Sequence, residues 1–317
     1  VLDPFTGTGT FITRLLQSGL INKKDLIRKY QNEIHANEIV LLAYYIAAVN
    51  IENAFHDAVN QKEYIPFDGN CLTDTFQLGE RVDKQKSAPL RIIKRNRTYT
   101  VIQKSEKNNA KNQEYPKLDK KIADTYVLAS NSSMNKALYD AYIKAFRWST
   151  DRLDKNGGII SFVSNGSWLD GNATSGFRKC IEKEFSSIYV FNLRGNARTS
   201  GELRQKEAGN VFGSGSRTPI SITLLVKNPN AKGKIDIENK AVIYYHDIGD
   251  YLSREDKLAK IHTFKTLANE SIDWRILRPN EHGDWISQRN DIFDTFIPSA
   301  IKDKGNSIFN LINRLVI

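Results

Sequence analysis

Apolar positions along the chain fall either in short continuous runs or at helical spacing, the pattern of a sheet with helices packed against it. Val1 and Leu2 read as the end of a buried strand, Asp3 to Gly9 as a tight turn, and Thr10 onward (Phe11, Ile12, Leu15, Leu16) as a helix. Asn22 to Gln31 reads as a polar connection. Glu33 to Glu38 predicts a second strand, and Ile39 to Phe55 a strongly apolar helix carried by Leu41, Leu42, Tyr45, Ile46 and Val49. Cys71-Leu72-Thr73 predicts a third strand and Leu90 to Ile93 a short fourth. Residues 97–134 form a long polar segment, and a loop of that length inside a compact domain is functional or disordered.

Lys136 to Leu153 is spaced as an amphipathic helix that Gly157-Gly158 stops. Ile159 to Val163 predicts a buried strand, Thr174 to Phe185 a helix, Ser187 to Leu193 a strand, and Pro219 to Val226 an alternating edge strand. This β-α succession predicts an α/β doubly wound sheet with one late antiparallel strand. Beyond residue 228 the pattern changes. Ala241 to His246 looks like a strand and Ser253 to Leu267 a helix capped by Ser253, so we read 1–228 as the main domain with its sheet complete, and 229–317 as a connector or the start of a further region.

Charge sharpens this picture. The chain carries a net +10, and residues 81–121 alone hold thirteen basic and four acidic side chains, nearly the whole excess. Such a segment suits a phosphate-bearing partner; the plainer reading is a solvated lysine loop. Two cysteines, Cys71 and Cys180, and five scattered histidines have no metal-ligand spacing, and no metal is expected. No apolar run is long enough to span a bilayer, and a reducing cytoplasm fits the cysteine usage. There is no Walker loop, and no internal repeat.

Candidate chemistry concentrates at the amino end. Strand, glycine turn and helix present backbone N–H groups and a helix N-terminus to a ligand at the carboxyl edge of a sheet. Gly7 and Gly9 let the backbone turn sharply and be approached closely. Glu38, ending the second strand, stands where nucleotide-type folds accept from both ribose hydroxyls. Phe146-Arg147-Trp148 and Tyr44-Tyr45 read as helix core, and His282-Asp284 as a loop hydrogen bond.

The string Asp3-Pro4-Phe5-Thr6-Gly7-Thr8-Gly9-Thr10-Phe11 resembles motif I of the amino-methylating DNA methyltransferases, the S-adenosylmethionine (AdoMet) loop. Further stretches, among them ANEIVLLAYYIAAVNIE, LTDTFQL, YPKLDKKI, FVSNGSWLD and SGSRTPISITLLVKNP, are similar in order to the methyltransferase region of single-chain restriction–modification enzymes of the Type ISP kind. The resemblance implies a Rossmann-like methyltransferase sheet, AdoMet as cofactor, double-stranded DNA as substrate and N6-adenine methylation of a flipped base. It implies nuclease, helicase-like ATPase and target-recognition domains in the whole enzyme, with 229–317 leading toward the last. Cofactor binding would fall to Asp3, Phe5, Gly7, Gly9, Thr10, Phe11, Glu38, Ile39, Asp74 and Phe76. Asp74 would meet the adenine amino group and Phe76 its ring.

The family's Asn-Pro-Pro-Tyr, whose asparagine oxygen and first-proline carbonyl accept the amino hydrogens of the target base, is here Asn96-Arg97-Thr98-Tyr99. Asn96 and Tyr99 keep the outer, catalytic positions and both prolines are replaced. DNA contacts would come from Lys94, Arg95, Arg97, Lys104, Lys107, Lys111, Arg194, Arg198 and Arg217. The altered motif leaves a second reading open, a DNA-binding chain of the same descent with impaired catalysis. Methylation of another amine on the same fold is a third.

Overall fold

A computed structural model describes residues 1–60, 63–80, 114–130, 132, 135–212, 216–231 and 240–288. The fold is mixed α/β. It divides into two compact units, one of residues 1–124 with 139–154, the other of 125–138 with 155–317.

The first unit is built on a parallel sheet of order β1-β2-β3, formed by Leu2–Asp3, His35–Glu38 and Asn70–Leu72. The connections are α1 (Thr10–Gln17), α2 (Lys23–Asn32) and α3 (Leu41–Val59), and β3 runs on into α4 (Thr75–Glu80). A parallel sheet needs helices over it. Ile12, Leu16, Leu26, Tyr30, Ala47, Ile51 and Phe55 supply that cover as one cluster with Ala36 of β2 and Ile34 just before it. Tyr30 stacks on Phe55 with ring centroids 3.6 Å apart. After the intervening segment, α5 (Pro116–Ile122) and α6 (Ala141–Thr150) complete the unit. Phe146, Arg147 and Trp148 of α6 are buried, as their helical spacing predicts.

Two sequence expectations change here. Asn22 to Gln31 is no polar connection: it lies almost wholly in α2, because Leu26 and Tyr30, one turn apart, bury a narrow stripe on an otherwise charged helix. In α3 the apolar residues that suggested a core are the outer ones. Leu41, Leu42, Tyr45, Ile46 and Val49 are 38–69% exposed, while Ala47, Ile51, Ala54 and Phe55 pack inward.

The second unit holds a five-stranded mixed sheet of order β4-β6-β5-β7-β8. Its strands are Gly158–Asn165 (β4), Ser187–Asn192 (β5), Ile220–Lys227 (β6), Val242–Asp247 (β7) and Arg275–Leu277 (β8). Helix α7 (Ser175–Glu184) joins β4 to β5, α8 (Gly201–Glu207) lies between β5 and β6, and α9 (Arg254–Phe264) follows β7. The late antiparallel strand is present, but β6 is no edge strand: it pairs antiparallel with both β4 and β5. Nor is the sheet finished at residue 228. β7 pairs parallel with β5 and β8 antiparallel with β7, so the sheet gains two strands beyond that point. Ser253 caps α9 in a full capping box with Asp256. The strand expected at Leu90 to Ile93 lies outside the described residues.

The turn around Asn280 is anchored through a fully buried arginine. Arg178 of α7 donates to the carbonyls of Gly283, Trp168 and Gly171, and its NH2 lies 3.7 Å from Asp284. Trp285 stacks edge-on to Trp168 and donates to Glu182 at 2.5 Å. The loop hydrogen bonds there run between Asn280 and Asp284, while His282 faces Glu281 at 3.6 Å.

Candidate functional site

Each parallel strand of the first unit delivers one carboxylate at or just beyond its carboxyl end: Asp3 on β1, Glu38 on β2, and Asp74 two residues after β3. The strand register brings these ends together at one edge of the sheet. Burial raises the Asp3 carboxyl above the usual aspartate range; the nearby Glu38 charge adds to the rise, and the Phe5 N–H only partly offsets it.

The turn from Asp3 to α1 is held from several sides. The Thr6 N–H donates to the Asn37 carbonyl at 2.9 Å, the Thr6 hydroxyl to the Asp3 carbonyl at 3.0 Å, and the Gly9 N–H to the Thr6 carbonyl at 3.0 Å. Glu38 spans the two elements it joins: Oε2 accepts from the Gly7 N–H and Oε1 from the Val40 N–H, both at 2.7 Å. A carboxylate has about four acceptor positions, so each oxygen keeps one for a ligand hydroxyl. Below the turn, the buried Thr75 hydroxyl donates to the Pro4 carbonyl at 2.5 Å and accepts from Asn37 Nδ2 at 3.3 Å. Thr75 and Asn37 therefore tie all three strand ends together, a role that nothing in the linear sequence marks.

Both turn glycines have positive φ, +57° at Gly7 and +85° at Gly9, but for different reasons. A Cβ on Gly9 would stand 3.1–3.2 Å from Ile51 and the backbone of Ala47, so the turn lies against α3 there. A Cβ on Gly7 would meet nothing within 4 Å, so only conformation demands glycine and a ligand has room to approach. Gly9 is the N-cap of α1 and no side chain caps that helix. The first-turn N–H groups, at Thr10 and Phe11, thus suit an anionic or polar ligand group. Phe11 and Ile39 are exposed beside the turn.

Asp74 already holds several donors. Its Oδ1 caps α4, accepting from the N–H groups of Phe76 at 2.9 Å and Gln77 at 3.2 Å. Its Oδ2 accepts from the Tyr115 hydroxyl at 2.9 Å. Phe76 packs between Phe5 and Tyr115, with ring centroids at 5.4 and 5.1 Å. Tyr115 had no assigned role; the sequence shows only a tyrosine before a helix-starting proline, 41 positions from its partner. The residues present fit AdoMet: a glycine-lined approach, an uncapped helix start, and acceptors left on Glu38 and Asp74.

Asn96, Tyr99, Lys94, Arg95, Arg97, Lys104, Lys107 and Lys111 lie outside the described residues. In the second unit the three expected arginines part company. Arg194, at positive φ just after β5, donates to Asp247 at 2.7 Å and pairs with Asp250. Burial opposes ionisation of Asp247, but the Arg194 and Gly249 donors outweigh it and hold its pKa low. Arg198 and Arg217 are exposed, and the Ala197 N–H bonded to the Arg217 carbonyl at 3.1 Å sets their backbones side by side. Among the described residues no cluster of metal-ligating side chains occurs, and no helix is long and apolar enough to cross a membrane.

No protein-family model and no curated protein matches the chain. Solved structures do. The chain is similar to a nuclease-deletion mutant of the Type ISP restriction–modification enzyme LlaGI in complex with a DNA substrate mimic (43% identity, TM-score 0.80, 95% of this chain and 26% of that one). It is similar to the ATP-dependent Type ISP restriction–modification enzyme LlaBIII bound to DNA (37%, 0.81, 97% and 22%). A DrdV–DNA complex matches at 35% identity and TM-score 0.77, over 94% of this chain and 29% of that one. The chain thus spans between a fifth and a third of the length of these proteins.

Proposed function

The chain belongs with a segment of the Type ISP restriction–modification enzymes, and from that premise we propose that it is their AdoMet-dependent DNA methyltransferase region, with a doubly wound Rossmann-like fold and specificity for adenine N6. The observation that carries this is the trio Asp3, Glu38 and Asp74 at the carboxyl edge of three parallel strands, with the Gly7–Gly9 turn opening α1. Bound there, AdoMet supplies the electrophilic methyl group. Glu38 accepts from the ribose hydroxyls, the Asp74 carboxylate from the exocyclic amine, and the turn with Phe5, Thr10, Phe11, Ile39 and Phe76 encloses the rest.

On the substrate side, the N6 lone pair of adenine is delocalised into its ring, so an acceptor for the amino hydrogens must localise it. Asn96 supplies that acceptor and Tyr99 stacks on the flipped base. The basic segment, with Arg198 and Arg217, holds phosphates of double-stranded DNA. Nuclease, helicase-like ATPase and recognition domains act with this region in the whole enzyme. Incorporation of labelled methyl groups into unmodified duplex, located by digestion to N6-methyladenine, tests the reading. Absence of transfer, persisting after Arg97→Pro with Thr98→Pro, sinks it.

The Arg97-Thr98 pair favours one second reading, a DNA-binding region with impaired turnover. A guanidinium about 6 Å from a sulfonium is repelled by roughly 3 kcal/mol at an effective dielectric near 20, enough to slow transfer about a hundredfold. Salt-sensitive DNA binding without methyl transfer by the native chain is its signature; clear turnover removes it.

A further inference from the structure

We propose that Tyr115 is a positioning residue for the ligand's purine amino group, acting through Asp74. The inference rests on the cofactor reading above. An ionised carboxylate offers about four acceptor positions. In Asp74 two are used on Oδ1 by the Phe76 and Gln77 N–H groups, and one on Oδ2 by the Tyr115 hydroxyl. The single acceptor position that remains is on Oδ2, and the phenol fixes which one it is. A terminal carboxylate torsion is broad on its own, so a second anchor on the outer oxygen turns a helix cap into a directed acceptor.

Tyr115 is itself immobilised. It is buried, its ring meets Phe76 edge-on at 71°, and its N–H donates to Asp119 at 3.3 Å. Asp119 in turn pairs with Lys144 at 2.6 Å, and that ammonium sits 5.3 Å from the centre of the Tyr115 ring. Close by, Glu80 at the end of α4 accepts from the Lys117 and Leu118 N–H groups that open α5. The start of α5 is therefore held at both ends of α4, by Tyr115 on Asp74 just before it and by Lys117 and Leu118 on Glu80 at its close. Burial, then the Asp74 charge, pushes the Tyr115 phenol upward, so it stays a proton donor at neutral pH.

An acceptor aimed this way discriminates by hydrogen-bond polarity. A 6-amino purine donates to it; a 6-oxo purine presents an oxygen to an oxygen and is rejected. The test titrates the full chain by calorimetry with S-adenosylhomocysteine and with its 6-oxo counterpart S-inosylhomocysteine. Neither ligand can react. The native chain should prefer the amino ligand about a hundredfold. Tyr115→Phe, which keeps the ring against Phe76 and is verified by a thermal melt, should narrow that preference about tenfold through weaker binding of the amino ligand alone. In an Asp74→Asn background the same Tyr115→Phe change should leave the preference unmoved, because its effect runs through Asp74. Equal weakening of both ligands by Tyr115→Phe, as a merely structural role gives, overturns the inference while leaving the cofactor reading standing. A native chain that binds neither ligand removes both.

Discussion

Gly7 and Gly9 are two positions apart in one turn, yet alanine should damage them in different ways. At Gly9 two costs combine. A left-handed backbone disfavours an L-residue by about 1–2 kcal/mol, and the new methyl would press on Ile51 and on the Ala47 backbone at 3.1–3.2 Å. Helix backbone cannot swing aside as a flexible side-chain end can, so overpacking adds about 1–3 kcal/mol. Less about 0.4–1 kcal/mol for the lower entropy of the unfolded alanine chain, Gly9→Ala should therefore lose about 1–4.5 kcal/mol, a large share of a typical domain's stability. At Gly7 only the conformational part applies, and the lower entropy of the unfolded alanine chain offsets about 0.4–1 kcal/mol of it. Gly7→Ala should cost at most about 1.5 kcal/mol. Its methyl instead enters the space beside the turn where a ligand approaches, so affinity for S-adenosylhomocysteine should fall at least tenfold. Urea unfolding followed by far-ultraviolet circular dichroism measures the first quantity and calorimetry the second. If the two alanines cost equal stability, the contact of Gly9 with α3 is not what demands glycine there. If Gly7→Ala binds the ligand as the native chain does, the ligand does not lie against Gly7.

Three further outcomes follow from the second unit. Arg198→Ala and Arg217→Ala should each lower the slope of log binding constant against log salt by about 0.9 in DNA titrations, whereas Arg194→Ala, whose guanidinium is committed to Asp247 and Asp250, should leave the slope and lower the melting temperature. Arg178→Met should cost about 3–5 kcal/mol in urea unfolding, because it takes the donor out of a buried polar network: the Gly283 carbonyl loses its arginine N–H, the Trp168 and Gly171 carbonyls keep only their Thr174 donors, and buried Asp284 loses its nearby cation. Lys257, fully buried with its ammonium on the Glu207 and Gly209 carbonyls, is pulled down to about 8 by burial. Between about pH 8 and 10.5 the unfolded chain holds a proton that the folded one has released, so native stability rises with pH by roughly 1 kcal/mol per unit, and this gain is absent below pH 8; Lys257→Met should flatten the rise in paired urea titrations.

What the sequence revealed was mostly local. The turn from Asp3 to Gly9, Glu38 at a strand end and the Ser253 cap depend on neighbours a few residues away, and each is where its spacing predicts. What it hid was decided by distant partners. Nothing near Arg194 announces that Asp247, 53 positions on, will claim it. Nothing near Pro219 to Val226 announces that the strand will lie between two others, because alternation reports one covered face and not the number of neighbours. The polar residues 22–31 concealed a helix for a related reason, since two inward residues per two turns suffice to anchor it.

Helix α3 shows how a local reading can find the element and miss its face. Leu41, Leu42, Tyr45, Ile46 and Val49 look outward, and its inward face is made by Ala47, Ile51, Ala54 and Phe55. The reason lies in the turn it packs against. A Cβ on Gly9 would stand 3.1–3.2 Å from Ile51 and the Ala47 backbone, so the turn and the inward face of α3 can meet there only because position 9 carries no side chain. The Asn50 side chain, on the same helix, adds a hydrogen bond to the Thr8 carbonyl at 2.9 Å. Ala47 and Ile51 against Gly9, with Asn50 on the Thr8 carbonyl, are thus the residues of α3 that hold the Gly7–Gly9 turn at the sheet edge where the three strand-end carboxylates stand.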